Sequence, residues 1–246
     1  AVSLPLTVGS LPARTPLVLT ATLHPKEGDY LYVKTVYAPL RLYVDGALLF
    51  EYGQPGSYPD FLIDPPTKTA LVPLPDAEGT VTLRMEYASP AQRSSITLHP
   101  VLVGSSAAVL MELIGQMGFS LFFAFVLVAL GLLLFLVALV VTRFEAAGAA
   151  LFWLGLFCVC VGCWVLGECN LTGVLVDAPV ILYLMAFLGL FTLAIPMLKF
   201  GCMVLGLRRD SRRLLHGMAL TLEICTGAAI LLQLSGIAAF SKTMYL

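Results

Sequence analysis

Residues 117–142 read MGFSLFFAFVLVALGLLLFLVALVVT, 26 positions from Met117 to Thr142 without one ionisable side chain. A helix rises about 1.5 Å per residue and the hydrocarbon core of a bilayer is roughly 30 Å thick, so about 20 such residues suffice to cross it. The stretch therefore reads as a transmembrane helix and divides the chain between two solvents. Before it, short alternating apolar runs are punctuated by Pro and Gly. After it, apolar runs recur to Leu246 with charge confined mainly to the connections. The expected fold class is an all-β extracytoplasmic sandwich or jelly roll over residues 1–112, followed by an all-α transmembrane bundle over 113–246 that is truncated.

Composition agrees with this division. Apolar residues make up 59% of the chain and the mean hydropathy is +0.93, whereas soluble domains sit near 45–50% apolar. The first 115 residues carry 7 basic and 10 acidic side chains, which excludes a basic nucleic-acid face. All six cysteines lie after residue 116, so the aqueous domain is expected to be held by its core without disulfides. The chain opens on Ala1 with neither Met nor a signal-peptide pattern, which is read as a removed signal or a fragment.

Outward from the helix toward the N-terminus, strand-like runs succeed one another: PLVLTATL, DYLYVKTVYA, LRLYV-DG-ALLFEYG, KTALVPLP, GTVTLRMEYA and SSITLHPVLVG. Asp45-Gly46 is the dipeptide that tolerates positive φ at both centres of a two-residue hairpin turn, and it joins two of these runs. Pro39, Pro55, Pro59, Pro65, Pro66, Pro73, Pro75 and Pro90 fall at or beside strand ends, as residues without an N–H must. Tyr30, Tyr32, Tyr37, Tyr43, Tyr52 and Tyr58 read as strand formers bordering a core rather than as a sugar-binding face. His24 and His99 have no partners at metal spacing. The domain shows no phosphate loop, nucleophile elbow or paired carboxylates. No catalytic residue, cofactor or metal site is expected.

Toward the C-terminus four spans are expected, at about 117–142, 146–167, 179–207 and 214–234, with the start of a fifth near Ile237. Arg208, Arg209, Arg212 and Arg213 concentrate four of this half's seven basic residues in one loop, and Arg143 lies in the other loop on that side. The positive-inside rule makes these loops cytoplasmic and the β-domain external. The loop 168–177, with two acids and no Lys or Arg, is external with it. Asn170-Leu171-Thr172 matches a glycosylation sequon too close to the bilayer to carry weight. Cys158 points away from Cys160 and Cys163 at 100° per residue, so the three read as small buried residues rather than ligands. Pro196 is expected to kink its span, and Gly189 and Gly201 to permit close helix approach.

Two charges lie deep in this half. Lys199 and Glu223 fall on consecutive antiparallel spans, each about 12–14 Å from the cytoplasmic boundary by helical rise. An isolated charge at that depth is costly, so the pair is expected to meet or share a polar pocket.

The segment YVKTVYAPLRLYVDGALLFEYG, feeding through PVLVGSS into a helical bundle, resembles the bacterial seven-transmembrane receptors with diverse intracellular signalling modules. The text FWLGLFCVCVGCWVLGECNLTGVL is similar to versions in cyclase-bearing proteins of gut-dwelling Firmicutes. The resemblance implies a galactose-binding-like outer jelly roll and a multi-pass location in the plasma (inner, cytoplasmic) membrane. It also implies a cytoplasmic output module such as a GGDEF diguanylate cyclase, a histidine kinase or a phosphatase. Any catalysis it implies belongs to that module, which these residues do not include. The partners it implies are the lipid bilayer, a small-molecule or carbohydrate-like ligand, and a second copy in a homodimer. Transport is the competing function, as a transporter or accessory subunit with a periplasmic substrate-binding cap. Transporters show repeats and broken helices, and no repeat is found among these spans. An intramembrane enzyme would need clustered ionisable residues at depth, where only Lys199 and Glu223 qualify.

Overall fold

The computed structural model describes residues 4–9, 12, 15–76, 79–88, 96–141 and 147–243. Pro90, Ser94, Ser95, Arg143 and Ala146 lie outside the described residues. The chain forms two compact units: residues up to Gln116 together with Gly173–Val180, and Met117–Thr172 together with Ile181 onward. The first unit thus extends past residue 112 and recruits a short stretch from the second half of the sequence.

The described part of the first unit holds nine strands: β1 Leu6–Val8, β2 Pro16–Leu23, β3 Asp29–Thr35, β4 Leu40–Val44, β5 Ala47–Tyr52, β6 Lys68–Pro73, β7 Val81–Ala88, β8 Ile96–Leu98 and β9 Leu102–Ser105. They pair in the orders β2-β7-β4-β5, β6-β3-β9 and β1-β8, antiparallel throughout. In β7, Val81, Leu83, Met85 and Tyr87 are buried while Thr82 and Arg84 are exposed, the period-2 signature of a strand with one face on a core. These residues cluster with Leu40, Leu42 and Val44 of β4, Leu31 and Val33 of β3, and Val72 of β6. The two larger sheets therefore share one core.

Strand β3 departs from alternation. Leu31, Tyr32 and Val33 are all buried, so both of its faces are covered. Thr69, the β6 neighbour of Lys34, is buried as well, and a Cβ added to Gly173 would strike its hydroxyl. The single strand expected from SSITLHPVLVG is two strands. His99-Pro100 interrupts it, since Pro has no N–H for a ladder, and the two pieces join different sheets: β8 pairs with β1 and β9 with β3.

The helices are α1 Ser106–Val141, α2 Ala147–Glu168, α3 Asn170–Leu175, α4 Pro179–Thr192, α5 Ala194–Val204, α6 Arg209–Leu234 and α7 Phe240–Thr243. Among the described residues four helical segments are long and apolar enough to cross a membrane: α1, α2, α4 with α5 as Pro179–Val204, and α6. This is the pattern of a multi-pass membrane protein. Helix α1 begins at Ser106, upstream of the span expected from Met117, and in this added stretch the Gln116 amide donates to the Glu112 carboxylate at 2.7 Å. Helix α6 starts at Arg209 rather than Leu214. Where a fifth span is expected near Ile237, the described residues hold α7.

Pro196 marks the break between α4 and α5. Lacking an N–H, it leaves the Thr192 carbonyl without its usual i+4 donor, and regular helix is interrupted at Leu193. Glycines set the helix contacts of the second unit. A Cβ on Gly131 of α1 would lie 2.7 Å from the Gly155 carbonyl oxygen of α2, and one on Gly189 of α4 would lie 2.7 Å from both the Cys160 carbonyl oxygen and the Trp164 nitrogen. Gly155 and Gly162 fall one heptad apart on α2 and face α1 together, since a Gly162 Cβ would lie 3.0 Å from the Ala124 carbonyl oxygen. Gly201 does not share this role. Its nearest neighbour is Leu205 Cδ1, one turn along the chain at 3.7 Å, so no partner backbone approaches there.

Candidate functional site

Lys199 of α5 and Glu223 of α6 form an ion pair. The short connection through Gly206 makes the two helices antiparallel neighbours. Gly206 takes φ +54°, the left-handed conformation that ends a helix at low cost in glycine, just after the Leu205 N–H donates to Gly201 O at 3.1 Å. Trp153 of α2 completes the group, with Lys199 Nζ 4.6 Å from its ring centroid. A cation over an indole face is held by the ring quadrupole, and this contact grows stronger where water is scarce. Three helices thus converge on one charged group. The side chains of Lys199 and Glu223 keep 29% and 37% of their accessibility, so the pair sits on a flank of the unit rather than at its centre.

A second polar node lies at the far end of α6. Gln233 is 1% exposed, and its Oε1 accepts from the Tyr183 hydroxyl at 3.0 Å and from the Phe240 backbone N–H at 2.7 Å. Phe240 packs among Tyr183, Phe187 and Phe191 of α4 at centroid distances of 5.5–6.0 Å. This arrangement fastens α7 to α4 and α6. Sequence reasoning passed over Gln233 because a single amide in an apolar run has no periodic signature. Trp153 was equally silent, being one aromatic in an aromatic-rich span.

Arg208, Arg209, Arg212 and Arg213 stand at the start of α6, with Arg208 as its N-cap residue. All four are exposed, and Asp210 is the acid among them. Cations at a helix N-terminus oppose the helix dipole, so their placement there is not explained by helix stability.

In the first unit, Asp45 and Gly46 occupy the turn between β4 and β5 with φ +49° and +84°. The strand-to-helix junction is equally compact. Ser105 is the last residue of β9 and its Oγ accepts from the Ala108 N–H at 3.3 Å, so the residue that closes the ladder with Asp29 also caps α1. Lys68 at the start of β6 pairs with Asp177 and lies 6.0 Å from the Tyr52 ring centroid. Burial, then the charge of Asp177, pushes the Tyr52 phenol up, and its hydroxyl donates to the Pro66 carbonyl at 3.1 Å. Tyr87 is pushed up to about 12 by burial. Burial, with the positive charge of Lys34, holds His99 below the usual imidazole range. Tyr43 lies beside Arg84, whose guanidinium carbon is 5.8 Å from its ring. His24 is exposed. Among the described residues no group of three or more His, Cys, Asp or Glu is disposed to hold a metal ion.

No protein-family model matches the chain, and no curated protein matches it. Among solved structures, a selenomethionine-labelled beta-glucosidase from Kluyveromyces marxianus is similar over 43% of this chain, with 18% identity and a TM-score of 0.27. The chain spans 13% of that enzyme's length. A likeness of that size carries no argument about fold or activity.

Proposed function

We propose that the chain is the sensor region of a bacterial membrane-bound signal-transduction protein. Its β-unit is an extracytoplasmic jelly roll of galactose-binding-like type, open to a small-molecule or carbohydrate-like ligand. The arginine end of α6 faces the cytoplasm of a cell bounded by the plasma membrane, and further spans lead to an output module of the diguanylate cyclase or histidine kinase kind. The observation that carries this reading is the junction at Ser105-Ser106. Strand β9 is hydrogen-bonded to the doubly covered strand β3 and passes into α1 without an intervening loop residue. A flexible tether would dissipate a displacement of the strand, whereas a capped junction hands it to the helix.

Inserting about six Gly/Ser residues between Ser105 and Ser106 tests this in the parent protein, because such a linker behaves as a random coil. Output that no longer responds to the cell exterior, at unchanged membrane abundance, supports transmission through the junction. An unaltered response overturns it. Reading the gene beyond Leu246 is the test of the output module, and a run of further spans with no soluble domain overturns that part. Orientation is checked with Ser211→Cys in a background lacking the native cysteines. Labelling of intact cells by an impermeant maleimide would reverse the assignment.

A further inference from the structure

Helices α2, α5 and α6 border an open groove of about 790 Å³, within the size range of small-molecule sites. Ala147, Ala150 and Leu154 of α2 form one wall and Phe200 and Met203 of α5 another, while Arg212 of α6 supplies a cation. The groove exists because Ala147 and Ala150 offer only methyl groups where larger side chains would fill it. Its position is set by three helix ends: α2 begins at Ala147, α5 stops at Val204 and α6 begins at Arg209. These ends belong to candidate spans, so the groove lies where hydrocarbon gives way to headgroups.

We propose that this groove binds one anionic phospholipid of the surrounding bilayer, with an acyl chain along the apolar walls and the phosphate at Arg212. The charge argues for the anion. Residues 208–213 carry four guanidinium groups against the one carboxylate of Asp210, and among the described residues none of the four arginines is in an ion pair. Guanidinium groups match phosphate oxygens in a two-pronged geometry, and basic pockets between membrane helices are favourable headgroup sites. The apolar walls argue for a lipid over a free phosphate, which would gain nothing from Phe200, Met203 or Leu154. A zwitterionic lipid would fill the walls but bring no net charge to the Arg212 guanidinium that lines the groove. The inference rests on the four helices being membrane spans and is independent of the sensor reading.

Native mass spectrometry of the full chain, released from micelles containing equal amounts of phosphatidylglycerol and phosphatidylcholine, reads the site directly. Phosphatidylglycerol adducts are expected to exceed phosphatidylcholine adducts by about tenfold, and Arg212→Gln to reduce that preference by about fivefold. Ala150→Phe, which fills the groove and leaves every arginine in place, should remove the retained lipid. Soluble glycerol 1-phosphate should not displace it. Equal retention of the two lipids overturns the proposal. So does phosphatidylglycerol retention that survives Arg212→Gln undiminished, or displacement by glycerol 1-phosphate at matched concentration. Should Ala150→Phe fail to fold by circular dichroism, the Arg212→Gln and competition results decide alone.

Discussion

Asp45 and Thr82 exchange two hydrogen bonds: the Asp45 N–H donates to the Thr82 carbonyl at 3.0 Å, and the Thr82 N–H donates to the Asp45 carboxylate at 2.8 Å. The turn between β4 and β5 is therefore tied to β7 as well as closing its own hairpin. Asp45→Ala removes the acceptor and places a residue with no local hydrogen bond at φ +49°. It should destabilise the β-unit by about 1–3 kcal/mol, while Asp45→Asn, which keeps an acceptor and tolerates positive φ, should cost less. Gly46 has open space around its Cβ position, so Gly46→Val isolates the backbone strain at φ +84°, expected at about 1 kcal/mol or more. Amide hydrogen exchange of β4 and β7 in the full chain checks both, and unchanged protection in Asp45→Ala would refute the cross-link.

Lys199 and Glu223 should behave as one unit. Removing either charge leaves the other in a medium that solvates it poorly, so Lys199→Met is expected to cost about 2 kcal/mol, less than a fully enclosed pair because both side chains retain some exposure. Adding Glu223→Gln should restore much of the loss. Trp153→Leu should weaken the site by about 1 kcal/mol through the lost ring contact. Thermal melting in lipid nanodiscs provides the comparison, and strictly additive single and double variants would show that the charges act independently.

The legible parts of this chain are those written locally. Asp45-Gly46 announces its turn through two residues that accept positive φ, Pro196 announces its break through a missing donor, and helical rise alone brings Lys199 and Glu223 to one depth. What escaped depends on distant partners. β1 pairs with β8 some 90 positions away (Thr7 Oγ1 to Thr97 Oγ1, 3.3 Å), and three residues of LTV carry too little pattern to disclose it. Gly201 and Gly189 look alike in sequence, yet only Gly189 meets another helix, because which face of a span is packed depends on its neighbours. The charge-free run from Met117 marks where α1 can cross a bilayer and not where the helix begins, which is at Ser106 beside the cap at Ser105.

The glycines separate into two classes that substitution to alanine should distinguish. Gly189→Ala brings a Cβ within 2.7 Å of two backbone atoms that cannot move aside independently, and a loss of about 1–3 kcal/mol is expected. Gly227→Ala meets nothing within 4 Å and should gain up to about 1 kcal/mol from helix propensity. Gly201→Ala should fall with the second class. Melting temperatures of the three variants test the assignment, and a destabilised Gly201→Ala would restore the close approach expected there.

His99 predicts a pH slope. Its folded-state pKa is depressed by burial and by Lys34, so the unfolded chain binds its proton first. The stabilisation is full above the unfolded value of about 6.5 and is lost as pH falls through the lower folded value. His99→Gln should flatten this part of the profile. Exchange rates in β8 and β9 compared between about pH 7.5 and pH 5 would show it, and an identical slope in the variant would assign the effect to other groups.

Lys68 and Asp177 form an ion pair whose members are unequally placed, the Lys68 side chain being 12% exposed and the Asp177 side chain 82%. This asymmetry fixes the order of the mutational effects. Lys68→Met leaves a carboxylate that water already solvates, so the loss should stay below about 1 kcal/mol, as for a surface pair. Asp177→Asn instead leaves a nearly enclosed ammonium with the Tyr52 ring at 6.0 Å as a weak offset to its lost hydration, and about 2 kcal/mol is expected. The double variant should recover to near the Lys68→Met value, because it is the stranded cation, more than the lost attraction, that destabilises. The local readout is amide exchange over Gly173–Val180, the stretch that belongs to the β-unit despite its place among the helices. Faster exchange there in Asp177→Asn than in Lys68→Met supports the ranking. The reverse order would mean that Lys68 is hydrated in solution and that Thr69 and Gly173, rather than the ion pair, hold this stretch in place.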